Sequence, residues 1–255
     1  MFTPAITPGL LPHLQPHLDR VAEKAARLRA LGDLPEAFQR SLEHKLRIEL
    51  THGSTAIEGN TLTLRETQLL IDEGITPAGN KHLREIHETL NHDRAVICLQ
   101  RFVSEGRTID EAGIAELHRL VMANIDSERA GSYRKERVLV TGAPVQPMRP
   151  ELVPDAMREL CVWITDNALS PVLAAGEAHY RFVKIHPFYD GNGRTARLLM
   201  NWISLGHGLP LTVIPAENRA RYITSIDDAD RGEPLAFFQL LCECVESSLD
   251  QYLTI

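Results

Sequence analysis

Residues 184–197 read KIHPFYDGNGRTAR, and their types and order suit chemistry on a phosphate. Pro187 disfavours helix at the residue before it, so the preceding helix should end at His186. Gly191, Asn192 and Gly193 break regular structure and should open the next helix, with Arg194 in its first turn. Glycines let backbone N–H groups approach a ligand closely, and a helix start adds the positive end of a dipole. Together they make an anion site, most naturally for phosphate. Arg194 and Arg197 are three apart and share roughly one helix face. Cations in the first helical turns oppose the dipole, a poor choice for stability that a bound anion reverses. From 181 to 197 four cations, Arg181, Lys184, Arg194 and Arg197, stand against one acid, Asp190.

Roles follow from residue chemistry. Asp190 lies four residues after His186, and an acid beside bound phosphates suits Mg²⁺, a hard cation that prefers oxygen ligands. His186 titrates near neutrality and is the candidate general base. Phe188 should point inward and anchor the loop. Each feature alone has a bland reading: a structural His-Pro at a helix end, a turn that only turns, a solvated arginine face. Their conjunction in one short stretch favours a functional site. His-x-x-x-Asp-Gly also occurs in acyl-CoA-dependent acyltransferases, but the arginine-rich continuation argues for phosphate.

The elements that must position this loop are helical for most of the chain. LDRVAEKAARLRAL and PEAFQRSLEHKLRIELTH carry good helix formers at helical spacing. The second helix should run out in STAIEGN at Gly59, which leaves Glu58 at the negative end of the dipole, an unfavourable place unless a cation answers it. Thr63 and Glu66 form a capping box, with Gly74 as the stop. The helix in NKHLREIHETLNHDRAVICLQRFV is expected to bury Leu83, Ile86, Leu90 and Ile97. Another, in TIDEAGIAELHRLVMANI, should be capped by Thr108 or Asp110. Arg137 to Thr141 is β-branched and precedes Gly142. With Pro144, Pro147 and Pro150 nearby it reads as a short exposed hairpin. Helical composition resumes from residue 151 to near the end.

Composition narrows the class. The chain has 255 residues and a net charge of −7, which disfavours a nucleic-acid partner bound through a basic surface. No apolar run reaches the length of a membrane span, so no membrane partner is expected. The first residues lack the basic start and apolar run of a secretory signal. Cys98, Cys161, Cys242 and Cys244 form no zinc spacing and read as free thiols, which fits a cytoplasmic location.

HPFYDGNGRTAR resembles, without a mismatch, the signature HPFx(D/E)GNGRxxR of the Fic (Fido) family. GSYRKERVLV resembles the family's flap strand, and STAIEGN resembles its inhibitory motif (S/T)xxxE(G/N), placed N-terminal to the core. The resemblance implies an all-α Fic fold: a helical-bundle core with a small β-hairpin flap, plus an N-terminal helical extension. Residues 1–105 would be a helical region carrying the inhibitory helix, about 36–60, and 106–250 the Fido core.

It also implies a Mg²⁺-dependent protein adenylyltransferase that moves AMP from ATP to a Ser, Thr or Tyr hydroxyl of a target or of itself, releasing pyrophosphate. His186 would deprotonate the hydroxyl and Asp190 would hold Mg²⁺. Gly191, Asn192 and Gly193 would stabilise phosphate charge, and Arg194 and Arg197 would bind the β- and γ-phosphates. Tyr222 lies where the family has an aromatic near the base. Asp230 stands where related members carry Asn, and it can accept from the adenine amino group but cannot donate to a ring nitrogen. Val138, Leu139, Val140 and Thr141 would dock an extended target segment as an added strand. Glu58, with Ser54 in the same motif, would engage Arg197 and block productive ATP binding. De-AMPylation, transfer of another phosphate-containing group and a non-catalytic nucleotide-binding module are the alternatives. A homodimer through the helix of Leu83 and Ile86 is a further expectation.

Overall fold

The computed structural model describes residues 5–7, 9–77, 79, 81–139 and 145–254. Ten α-helices are present among them: α1 (Leu11–Ala30), α2 (Glu36–Ile57), α3 (Leu64–Glu73), α4 (Leu83–Ser104), α5 (Glu111–Val121), α6 (Val153–Asp166), α7 (Pro171–Ile185), α8 (Asn192–Gly206), α9 (Arg219–Asp230) and α10 (Leu235–Tyr252). Short 3₁₀ turns at Pro150–Leu152 and Ala216–Asn218 lead into α6 and α9. The all-helical class matches the expectation. No strand occurs among the described residues. Arg137–Leu139 is irregular, and Val140 and Thr141 lie outside the described residues, so the expected hairpin is represented only by its stems.

Helix α8 is the axis. Its Ala196, Leu199 and Met200 belong to one apolar core, shared with α1, α6, α7 and α10 through Leu14, Leu160, Phe182 and Phe238. Its Leu198 and Trp202 belong to a second core, shared with α2, α4 and α5 through Leu46, Leu50, Leu99, Phe102 and Leu117. A helix enclosed on all sides must place its polar residues against partners. Asn201 does so by donating to the Arg197 and Thr212 carbonyls at 3.0 and 3.1 Å. No described helix is long and apolar enough to cross a membrane.

Local signals account for the ends that matter. Thr63 and Glu66 form the reciprocal capping box at α3, and Gly74 closes it in the left-handed region. Asp110, not Thr108, caps α5, accepting from the Gly113 N–H at 2.7 Å. Helix α1 begins seven residues before the LDRVAEKAARLRAL stretch and carries Pro16 inside it.

The burial expected for α4 is corrected. Leu83 and Ile97 are 67% and 49% exposed, and Ile86 and Leu90 are half-buried. The inward face instead carries Glu85, Thr89, His92, Asp93, Val96 and Leu99. Glu85 accepts from the Thr61 and His82 N–H groups, His92 meets Thr51 and Asp93 pairs with Arg47, so the buried stripe is partly polar and apolar periodicity selects the wrong face.

Helix α2 is seated tightly. A Cβ on Gly53 would stand 2.4 Å from the Ile214 carbonyl oxygen. Gly53→Ala is therefore expected to cost about 1–3 kcal/mol, as overpacking against backbone does. Urea unfolding checks it, and an unchanged midpoint would mean that this seat gives way.

Candidate active site

Helix α7 ends where Pro187 demands. His186 caps it with φ 51°, a left-handed conformation rare for a residue with a side chain, and its N–H still donates to the Phe182 carbonyl at 2.9 Å. Such outliers persist where surrounding structure over-determines them. Here Phe188 is fully buried and stacks on His118 with ring centroids 3.6 Å apart. His118 accepts from the Gly131 N–H through Nδ1 at 2.8 Å, so its Nε2 carries the proton given to the Asp190 carbonyl at 2.9 Å. Gly191 begins α8 at φ 74°, and a Cβ there would meet Met122 Sδ at 2.9 Å. The loop is thus held by α5 from one side and by its own helix from the other.

Asn192 braces the same loop. Its Oδ1 accepts from the Phe188 N–H at 2.9 Å and its Nδ2 donates to the Phe188 carbonyl at 2.8 Å. Its side chain thus braces the loop through both its oxygen and its nitrogen. Early N–H groups of α8, such as that of Gly193, have no acceptor within their own helix, and they mark the anion cradle.

The cradle holds a carboxylate. A Cβ on Gly193 would lie 2.2 Å from Glu58 Oε1, so the acid delivered by α2 sits against the helix start. The same oxygen accepts from Arg197 Nη2 at 2.7 Å. Arg197 is almost fully buried and also donates to Ser54 Oγ (2.9 Å), the Ser54 carbonyl (2.8 Å) and Tyr222 Oη (3.3 Å). All three nitrogens of its guanidinium are therefore engaged. The cation missing from the end of α2 is thus Arg197, helped by Arg219, which donates to the Ile57 carbonyl at 2.7 Å. Asn60 does more than stop the helix. It donates to the Glu85 carbonyl and Glu88, pinning the end of α2 to α4.

Arg194 is in a different state. It is 2% exposed, and its Nε and Nη1 have no hydrogen-bond partner among the described residues. Glu88 stands 3.7 Å from Nη1, an ion-pair distance too long for a hydrogen bond. Buried donors left open beside a helix start are able to serve an anion.

Asp190 accepts from the Gly191 N–H at 2.5 Å and from Arg194 Nη2 at 3.3 Å through one oxygen, and pairs with Arg84 of α4 through the other. Burial alone raises its pKa, but Arg194, the Gly191 amide and Arg84 outweigh that and hold it below the ordinary carboxylate value. No three His, Cys, Asp or Glu side chains cluster among the described residues as a complete metal cage. Mg²⁺ commonly takes one carboxylate and completes its shell with substrate phosphates and water. An ionised Asp190 beside the cradle fits that, once Arg84 yields its oxygen.

A cavity of about 630 Å³ opens beside these groups, lined by Glu58, His186, Gly193, Arg197, Tyr222 and Asp230. Burial first, then the Arg134 guanidinium, push the His186 ring down to about 4, against upward pulls from Glu58 and Asp190. The imidazole is therefore neutral at pH 7 and able to accept a proton. Tyr222 is buried, with its hydroxyl between His179 Nε2 (2.8 Å) and Arg197. Asp230 pairs with Lys184 at 2.8 Å. The cavity lining also includes the apolar Val145, Val183, Ile223 and Ile226. Leu139 is 83% exposed and Val138 half-buried.

Three residues at the site escaped sequence reading: His118, Arg84 and Arg134. Arg134 lay inside the flap motif, and its invisible property is burial. It is 2% exposed and donates to the backbone carbonyls of His186 (2.7 Å), Ile185 (3.3 Å), Glu136 (3.0 Å) and Met148.

The Fic/DOC family profile matches residues 108–204. The solved structure of Fic-1 from C. elegans is 31% identical, superposes with a TM-score of 0.84, and is matched over 97% of this chain and 73% of that one. A Fic-domain-containing signaling protein from Bacteroides thetaiotaomicron is 29% identical, with a TM-score of 0.82 over 91% of this chain and 94% of that one. The protein adenylyltransferase fic-1 of Caenorhabditis briggsae is 36% identical over 207 residues, 79% of this chain and 40% of that protein. The C. elegans protein adenylyltransferase fic-1 is 33% identical over 240 residues, 89% of this chain and 46% of that protein. The chain thus spans less than half the length of these curated relatives. Its likeness to C. elegans Fic-1 in sequence and in fold runs over nearly its whole length, and the chain belongs to the Fic/DOC family.

Proposed function

We propose that this chain is a self-restrained protein AMP-transferase, moving AMP from ATP to a Ser, Thr or Tyr hydroxyl of a target protein or of itself. The observation that carries the reading is the Glu58 carboxylate lying on Gly193 and Arg197, an anion seated in the anion cradle beside His186.

In this reading the neutral His186 takes the proton of the target hydroxyl. The oxygen attacks the α-phosphorus, the bond to the bridging oxygen of the β-phosphate breaks, and pyrophosphate leaves with that electron pair. The amides around Gly193 and the open Arg194 donors bind phosphate oxygens, so catalysis rests on positioning and charge neutralisation. Mg²⁺ bound at Asp190 would supply further neutralisation of phosphate charge. The apolar lining accommodates the base, and Asp230 accepts from an adenine amino group. Glu58 restrains the reaction because its carboxylate occupies Arg197 Nη2 and lies against Gly193, where a γ-phosphate would have to bind.

Label position tests this. With ATP labelled at the α-phosphate, Glu58→Gly protein should become labelled, His186→Ala should abolish the label, and γ-labelled ATP should leave none. Label from the γ-position would mean phosphoryl transfer. Tight ATP binding with no label from either position would mean a non-catalytic module. The same cavity is lined by Glu58 and His186, which supports de-AMPylation as a second activity.

The boundary near residue 105 remains part of this proposal, supported by a family match that begins at 108. Helix α1 nonetheless shares the first apolar core with α7 and α10. The exposed Leu83 and Ile97 support self-association through α4. Target docking at Val138–Thr141 is supported by the exposure of Leu139. The four free thiols support a reducing compartment such as the cytoplasm.

A further inference from the structure

Among the described residues the buried Arg134 guanidinium has no carboxylate within hydrogen-bond or ion-pair reach, and burying a charge is costly unless hydrogen bonds answer it. Every acceptor of Arg134 among them is a backbone carbonyl, and the carbonyls belong to three places in the chain. Ile185 and His186 are the last residues of α7 and its cap, whose carbonyls no helical N–H can reach. Glu136 and Met148 are the two stems of the segment that the flap occupies. The surrounding backbone adds to the same junction. The Arg134 N–H donates to the Pro187 carbonyl at 2.9 Å, and the Met148 N–H donates to the Lys184 carbonyl at 3.3 Å. The Lys135 N–H donates to Tyr189 Oη at 3.1 Å.

We propose that Arg134 is a positioning residue that locks His186 and both stems of the 136–148 segment into one register, so that a target chain docked on that segment presents its hydroxyl to the base. This rests on the AMP-transfer reading above. The geometry needs a planar fork. Nε takes the His186 carbonyl, Nη1 takes Glu136, and Nη2 bridges Met148 and Ile185. The positive charge also sits at the negative end of the α7 dipole, which favours it there. A lysine keeps the charge but offers one nitrogen, and it cannot span all three places at once. Without the fork, the left-handed His186 loses its carbonyl anchor and the stems lose their link to it, while Arg194, Arg197 and Gly193 keep their places.

The test is Arg134→Lys in a Glu58→Gly background. Thermal unfolding should remain cooperative and ATP affinity should stay within about 3-fold. The saturating rate of self-labelling from α-labelled ATP should fall about 100-fold, as expected when a reacting group is misplaced by about 1 Å. Half-saturation by ATP should hardly move. In parallel, amide hydrogen exchange at Met148 and His186 should quicken while that of α1 stays unchanged. An unchanged saturating rate overturns the proposal, and so does a loss confined to ATP affinity. A Lys variant that fails to fold also overturns it, since Arg134 would then be a structural cap of α7. If the Glu58→Gly parent transfers no AMP, the AMP-transfer reading falls, and the exchange data alone decide whether Arg134 couples the stems to His186. Equal exchange in both proteins would reject that coupling.

Discussion

Glu58→Gly is expected to lower the stability of the free protein and to raise its self-labelling. Arg197 is 1% exposed and Glu58 38% exposed at the side chain. Breaking a fully buried pair costs about 3–5 kcal/mol, and the partial exposure of Glu58 reduces this to about 1–3 kcal/mol. The loss falls on a cation that keeps only Ser54 and Tyr222 as partners. ATP should then restore more stability to the variant than to the parent, because its phosphates supply the missing anion. A ligand at a hundred times its Kd stabilises by about 2.7 kcal/mol. The gain in labelling should be about 5–150-fold, the range of coupling free energies between linked sites. Thermal unfolding with and without ATP, and label incorporation, measure the two effects separately. Unchanged labelling with an unchanged ATP-induced shift would reduce Glu58 to a helix-end acid.

Acid should unfold this protein well before its carboxylates are all protonated. His92 and His179 are fully buried, and burial, followed by the nearby Arg197, pushes each imidazole from 6.5 down to about 3. His118 is pushed to about 4, again chiefly by burial. The unfolded chain therefore binds protons between pH 6.5 and these values that the native state refuses. Stability is fully present above pH 6.5 and is lost as pH falls toward the folded values. Each such histidine contributes a slope of about 1.4 kcal/mol per pH unit, so three of them remove about 6 kcal/mol between pH 6.5 and 5. That is a large share of a total that is typically about 5–15 kcal/mol. Urea midpoints at pH 7 and pH 5 should differ strongly, and His92→Gln should flatten the slope by one proton. Equal midpoints would mean that the native state accommodates the charged rings.

The elements that chain-local chemistry specifies were legible in the sequence. The Thr63–Glu66 box, the Gly74 stop, the His186 helix end and the opening of α8 each depend on residues within a few positions of one another. The long-range facts were not. Glu58 and Arg197 are 139 residues apart, and only a resemblance brought them together beforehand. Arg134 and His118 act on backbone carbonyls, which every residue possesses and no sequence pattern marks. The face of α4 differs from the apolar pattern because its polar residues find partners inward, Glu85 at the Thr61 and His82 N–H groups, His92 at Thr51 and Asp93 at Arg47, while Leu83 and Ile97 face out. Asn192 also braces Phe188 through both its side-chain polar atoms, a contact that no sequence pattern marks.

Because Glu58 rides on α2, the carboxylate lying on Gly193 and Arg197 is a tethered ligand. In the proposed function, its competition with a nucleotide would be governed by an effective concentration that the packing of Leu42, Leu46 and Leu50 sets, not by how much protein is in solution. Dilution cannot loosen it. Fraying the last turn of α2, or cutting the chain between α2 and α3, would lower that effective concentration and leave every residue of the catalytic loop in place.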